Sequence, residues 1–130
     1  MDDVKMLKND LHKVKILFVD DEEDIRKGTG SFFDKFFDDV FVCANGEEGI
    51  ETFKKHNDIQ VVITDIIMPK ISGVEMIDTI KKINPNILVI YITASRGTTL
   101  TNSSEDDLYI KKPLSYDDMK SILFKIQEKV

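Results

Sequence analysis

Residues 59–64 read IQVVIT, nearly all apolar, and Asp65 follows directly. A strand with one buried face alternates apolar and polar residues; a run this continuous implies burial on both faces. Moving outward, residues 87–92 (ILVIYI) repeat the pattern, 14–19 (VKILFV) share it, and 40–43 (VFVC) and 108–111 (LYIK) are shorter versions. Between these runs lie longer amphipathic stretches. The first is acidic, then helical to about Phe37, with Ile25, Phe32, Phe33 and Phe36 repeating. The second extends from about Glu47 to His56. The third, Val74 to Asn84, sets Val74, Ile77, Ile80 and Lys81 at helical spacing and stops before Pro85, and the last runs from Tyr116 to Lys129. This alternation predicts an α/β fold, a doubly wound five-stranded parallel sheet with helices on both faces and right-handed crossovers.

Local signals sharpen the boundaries. Ser72 precedes Glu75 by three residues and Ser115 precedes Asp118 by three, the spacing of a capping box. Gly28 and Gly30 fall inside the first predicted helix, where each costs ~1 kcal/mol relative to alanine, so fraying or interruption is expected there. Residues 1–13, with Met6, Leu7 and Leu11, are either a short extra helix or a loosely held tail. Residues 95–107 (SRGTTLTNSSEDD) offer only Leu100 as a large apolar side chain where the rhythm calls for a fourth helix. That helix is expected to be short or irregular.

The chain has 130 residues, enough for one domain, with 42 % apolar and 32 % charged residues. Its formal net charge of -6 argues against direct nucleic-acid binding, which depends on Lys and Arg. The lone Cys43 sits in an apolar run and is expected to be a buried thiol. No apolar stretch is long enough for a membrane span or signal peptide, so the expected location is the cytoplasm.

Polar residues collect at one end of the predicted strands. Asp20 and Asp21 follow the first, Asp65 the third, Thr93 the fourth and Lys112 the fifth. In a parallel sheet these ends open on one edge, where ligands usually bind. Each residue alone has a bland explanation: Asp-Asp after a strand is commonly a helix cap, Thr93 could satisfy backbone, and Lys112 could be exposed. Their convergence is what favours a site. Three carboxylates in one pocket need a cation, and hard oxygen donors without cysteine or clustered histidine select Mg²⁺, or Mn²⁺, over zinc. An aspartate held there can attack phosphorus and form an acyl phosphate, with the metal, Lys112 and the Thr93 hydroxyl stabilising the equatorial oxygens.

The segments FVDDEE (18–23), TDIIMPKISG (64–73), YITA (91–94) and YIKKP (109–113) together closely resemble the receiver domains of response regulators in two-component signalling, from Val14 to about Lys129. Residues 1–13 then read as an N-terminal extension and 14–130 as the receiver domain. The resemblance implies the flavodoxin-like strand order 2-1-3-4-5 and makes Asp65 the phosphoacceptor. It also implies a metal site of Asp20, Asp21, Asp65 and the backbone carbonyl of Ile67, and a switch formed by Thr93 and Tyr109. Lys112, which immediately precedes Pro113, matches the family's lysine, leaving Lys111 to point the other way; the Lys112–Pro113 bond resembles the family's cis peptide. The implied partners are a sensor histidine kinase or histidine phosphotransfer protein and a downstream protein, with a homodimer left open. The apolar Ile67, two residues after the acceptor, implies a longer-lived phosphoryl group.

Two rival classes remain at this stage. One is a non-phosphorylated interaction module of the same fold. The other, a metal-dependent aspartyl phosphatase, is disfavoured because such enzymes carry Asp-x-Asp after the first strand, whereas Asp20 and Asp21 are adjacent. A single residue follows the last predicted helix, so the chain reads either as a stand-alone regulator or as a receiver belonging to a longer regulator or hybrid kinase.

Overall fold

The computed structural model describes residues 3–94 and 107–130. Along the chain these form α1 (Asp3–Leu11), β1 (Lys15–Val19), α2 (Glu23–Asp34), β2 (Asp39–Cys43), α3 (Gly46–Lys55), β3 (Val61–Asp65), α4 (Gly73–Ile83), β4 (Leu88–Thr93), β5 (Leu108–Lys111) and α5 (Tyr116–Lys129). The strands make one parallel five-stranded sheet in the order β2-β1-β3-β4-β5. This is the predicted doubly wound topology. The expectation of a short or irregular fourth helix falls on residues 95–106, outside the described residues.

Alternation along each central strand divides the core in two. Ile16, Phe18, Val61, Ile63, Ile90 and Ile92 face one layer, filled by Phe33 of α2, Ile122, Leu123 and Ile126 of α5, and Leu7 and Leu11 of α1. Leu17, Val19, Val62, Val89 and Tyr91 face the other, against Phe53 of α3 and Met76, Ile77 and Ile80 of α4. Burial on both faces is why β3 and β4 lack polar alternation, every residue of each being buried.

Before β1 the chain forms a helix, α1 (Asp3–Leu11), and Leu7 and Leu11, one turn apart, are both buried in the α2–α5 layer. Gln127 Nε2 donates to Asp10 Oδ2 at 2.6 Å, and the Asp38 N–H donates to the His12 carbonyl at 2.9 Å, tying α1 and the residues after it to α5 and to the α2–β2 turn.

The expected break at Gly28 and Gly30 does not occur, since α2 is continuous through both. Phe33 packs edge-on against Phe18, with ring centroids 5.7 Å apart, and that burial outweighs the propensity cost. Both proposed capping boxes are complete: Ser72 with Glu75 at α4, and Ser115 with Asp118 at α5.

A carboxylate-lined edge as candidate functional site

The carboxyl ends of β1, β3, β4 and β5 open together, and Lys112 is the group that joins them. Its Nζ lies 2.8 Å from Asp65 Oδ2, 2.9 Å from Asp20 Oδ2 and 3.2 Å from Glu22 Oε1. Strand alternation sends the neighbouring Lys111 outward, where it is exposed, while the Lys112 side chain is 8 % exposed. The Lys112 N–H donates to the Thr93 carbonyl at 2.8 Å, fixing the end of β5 to the end of β4, and Lys112–Pro113 is cis. Burial alone would weaken the Lys112 ammonium, but the neighbouring Asp65 and Asp20 carboxylates outweigh that effect and hold its pKa above the ordinary lysine value.

Asp20 is fully buried. Its Oδ1 accepts from the Glu22 N–H at 2.9 Å, whereas Oδ2 has only the charge contact with Lys112 and no directed hydrogen bond. Burial pushes this carboxyl above its ordinary value; Lys112 and the Glu22 N–H oppose the shift without cancelling it. Asp21 is exposed at the rim, and ligand oxygens of Asp20, Asp21, Glu22 and Asp65 all lie within 4.8 Å of one another. Four such oxygens, two of them from the buried carboxylates of Asp20 and Asp65, fit a hard divalent cation that keeps part of its water shell. Of the sequence-derived residues, Asp20, Asp21, Asp65 and Lys112 therefore come together directly.

The remaining candidates sit further out. Thr93 is buried at the end of β4. Ile67 is 62 % exposed beside the acids, and its N–H donates to Asp65 Oδ1 at 3.3 Å. Tyr109 does not touch the acids; it stacks on Tyr91, its register partner across β4 and β5, with centroids 5.1 Å apart and planes 11° from parallel.

Three residues here escaped the sequence reading. Glu22 occupies the N-cap position of α2 but makes no capping bond, because its carboxylate goes to Lys112. Arg26 Nη1 donates to the Asp20 carbonyl at 2.8 Å and anchors the β1–α2 turn; its place one helical turn after Glu22 was the available signal. Gly73 lets the start of α4 close under the acceptor. A Cβ there would lie 2.0 Å from the Asp65 carbonyl oxygen, and the Gly73 N–H donates to Ile66 O at 2.8 Å. Beside Lys112 a groove of about 380 Å³ runs between α2 and α5, lined by Glu22, Ile25, Thr29, Leu114 and Met119 among others.

Residues 16–124 match the family model described as the response regulator receiver domain. Among curated proteins, the response regulator protein VraR of Staphylococcus saprophyticus is 30 % identical over 117 residues, covering 86 % of this chain and 56 % of that protein. The response regulator SaeR of Staphylococcus aureus is 32 % identical over 105 residues, 77 % of this chain and 44 % of that protein. The chain thus spans about half the length of these two relatives. Among solved structures, a response regulator receiver domain protein from Clostridium thermocellum superposes with a TM-score of 0.76 at 30 % identity, covering 89 % of this chain and 95 % of that one. A CheX–CheY–BeF3–Mg complex from Borrelia burgdorferi contains a chain with a TM-score of 0.70 at 28 % identity, covering 88 % of this chain and 87 % of that chain.

Proposed function

The chain belongs to the response regulator receiver domain family, and from that premise we propose that it accepts a phosphoryl group on Asp65 from a phosphohistidine of a sensor kinase or histidine phosphotransfer protein. Residues 14–130 act as the receiver and 1–13 as its extension. The observation that carries this reading is the buried Lys112 ammonium bridging Asp65 and Asp20 within a cluster of four carboxylates. That arrangement offers both a cation-ready acid cluster and a fixed positive charge next to the nucleophile.

In the proposed step an Asp65 oxygen attacks phosphorus while the P–N bond breaks, its electron pair remaining on the imidazole nitrogen. Asp20, Asp21, Asp65 and the Ile67 carbonyl would hold Mg²⁺, or Mn²⁺, which when bound would supply positive charge against the transferring oxygens. Lys112 is already within contact distance of Asp65, and its ammonium can move from carboxylate to phosphoryl oxygen without leaving the pocket. Thr93 donates its hydroxyl to the same group, and Tyr109 changes position with it. Exposed Ile67 has no side-chain donor or acceptor to orient an attacking water, which supports a long-lived acyl phosphate.

The chain works as a cytoplasmic signalling module whose covalent chemistry is confined to its own phosphorylation and dephosphorylation. The groove between α2 and α5 suits it to docking the phosphodonor protein. A downstream protein partner reads the result, within the same polypeptide or outside it. Incubation with acetyl phosphate and Mg²⁺ should add one phosphoryl mass, abolished in Asp65→Ala or by chelator. Equal labelling of Asp65→Ala would defeat the assignment.

A further inference from the structure

We propose that the ion pair between Lys81 and Asp107, together with the Tyr91–Tyr109 stack, is a latch that holds the unphosphorylated arrangement of β5, making Lys81 and Asp107 positioning residues for the switch. Lys81 Nζ lies 2.9 Å from Asp107 Oδ2, with side chains 18 % and 2 % exposed. Lys81 belongs to the last turn of α4 and Asp107 immediately precedes β5, so the pair clamps the entrance of an edge strand to a helix on one face of the sheet. It is built differently from the exposed Lys27–Glu23 contact, whose side chains are 76 % and 68 % exposed. Solvent screens that exposed pair, whereas a carboxylate buried to 2 % is held in place by its cation.

Alternation relays the clamp to Tyr109. Residues 107 and 109 lie two apart, so their side chains leave the chain on the same side, while Leu108 and Ile110 pack into the opposite layer. On that shared side Tyr109 lies over Tyr91, whose ring is 2 % exposed in the α3–α4 layer. Buried Tyr91 cannot follow a moving partner, because its own ring is fixed by close packing. Asp107 is also near enough to Tyr91 to act on its hydroxyl: burial first, then Asp107, Tyr109 and Asp78, hold that phenol above its ordinary value. A shift of β5 relative to α4 must therefore break a buried charge contact and unstack two rings together. Such a coupled contact has two discrete arrangements rather than a gradient of intermediates.

The inference rests on the proposed phosphoryl chemistry and on Tyr109 moving with it. An interaction made only in the unphosphorylated arrangement opposes phosphoryl binding by the same factor by which phosphoryl binding opposes it. Removing the latch should therefore tighten binding of a phosphoryl mimic, whereas loss of a merely structural contact would lower stability without doing so.

The test uses the full chain labelled with 3-fluorotyrosine, with the Tyr109 fluorine resonance assigned through Tyr109→Phe. Titrations use beryllofluoride with Mg²⁺ on wild type, Lys81→Met, Asp107→Asn and the double variant; the double variant decides if an orphaned charge unfolds the single ones. The expected result is a Tyr109 resonance in the free variants displaced toward the position wild type reaches when saturated, with beryllofluoride bound at least about five-fold more tightly. Variants with an unmoved free resonance and unchanged or weaker binding would overturn the latch. A wild type that fails to bind beryllofluoride at all would instead overturn the phosphoryl reading on which the latch depends.

Discussion

At Asp20 the requirements of a metal site and of a stable fold oppose each other. Its carboxyl is fully buried and raised above its ordinary value, chiefly by burial, so the folded chain favours the protonated form more than the unfolded chain does. A group with a raised folded value contributes stability that is present below the unfolded value, near 3.9, and lost as pH rises through the folded one. At neutral pH and without metal, ionised Asp20 therefore weighs against the fold. Asp20→Asn should raise the Tm in chelator at pH 7 by about 3–5 °C, the size of a ~1 kcal/mol effect in a domain of this length. The gain should shrink as pH is lowered toward 4, because the native carboxyl takes up its proton before the unfolded one does. Thermal melts at both pH values check this, and an equal shift at the two would point to packing instead of charge. Asp65 and Lys112 stood out as candidates because several strand ends converge on one edge, and adjacency to Pro113, read through the family resemblance, chose Lys112 over Lys111. Glu22 did not, because an acid following two others at a helix start has an ordinary capping role, and only the position of Lys112 draws it away from that role.

Among the elements, legibility followed burial. β3 and β4 were plain in the sequence because apolar residues fill both faces, and α4 and α5 because their caps are encoded within four residues. α1 stayed open because two leucines one turn apart cannot show whether a core surface awaits them. The interruption expected in α2 failed because propensity was weighed without the phenylalanine cluster behind it. Its glycines lead to a contrast that propensity alone does not give. A Cβ at Gly28 would meet nothing within 4 Å, while one at Gly73 would sit 2.0 Å from the Asp65 carbonyl oxygen. Gly28→Ala should therefore stabilise the protein by about 0.5–1 kcal/mol in urea unfolding, by propensity alone. Gly73→Ala should destabilise it by ~2 kcal/mol or more, with slowed labelling of Asp65, since the β3–α4 turn must open to admit the methyl group. The Lys81–Asp107 contact had no sequence signal, since it joins residues 26 apart through a β4–β5 register that only the folded sheet defines.

For the molecule as a whole, the sheet carries negative charge to one edge of a chain whose net charge is already -6. Most of that charge is spread over exposed side chains, where salt screens it. Among the described residues, Asp20, Asp21, Glu22 and Asp65 concentrate that charge, two of them buried, and the cluster faces Lys112. A ligand that binds only the folded state stabilises it by RT ln(1 + [L]/Kd), about 1.4 kcal/mol at ten times Kd. Mg²⁺ added to that level should raise the Tm of wild type by roughly 4–6 °C. NaCl at matched ionic strength should raise it by less, since screening acts on the exposed charges and cannot fill the buried oxygen of Asp20. Asp21→Asn removes an exposed acid without disturbing the core, so it separates the two effects: the Mg²⁺ increment should fall to the NaCl value while the Tm in chelator stays close to wild type. If NaCl and MgCl₂ stabilise wild type equally, or Asp21→Asn keeps the full Mg²⁺ increment, the edge repels as diffuse charge and holds no ion at these residues.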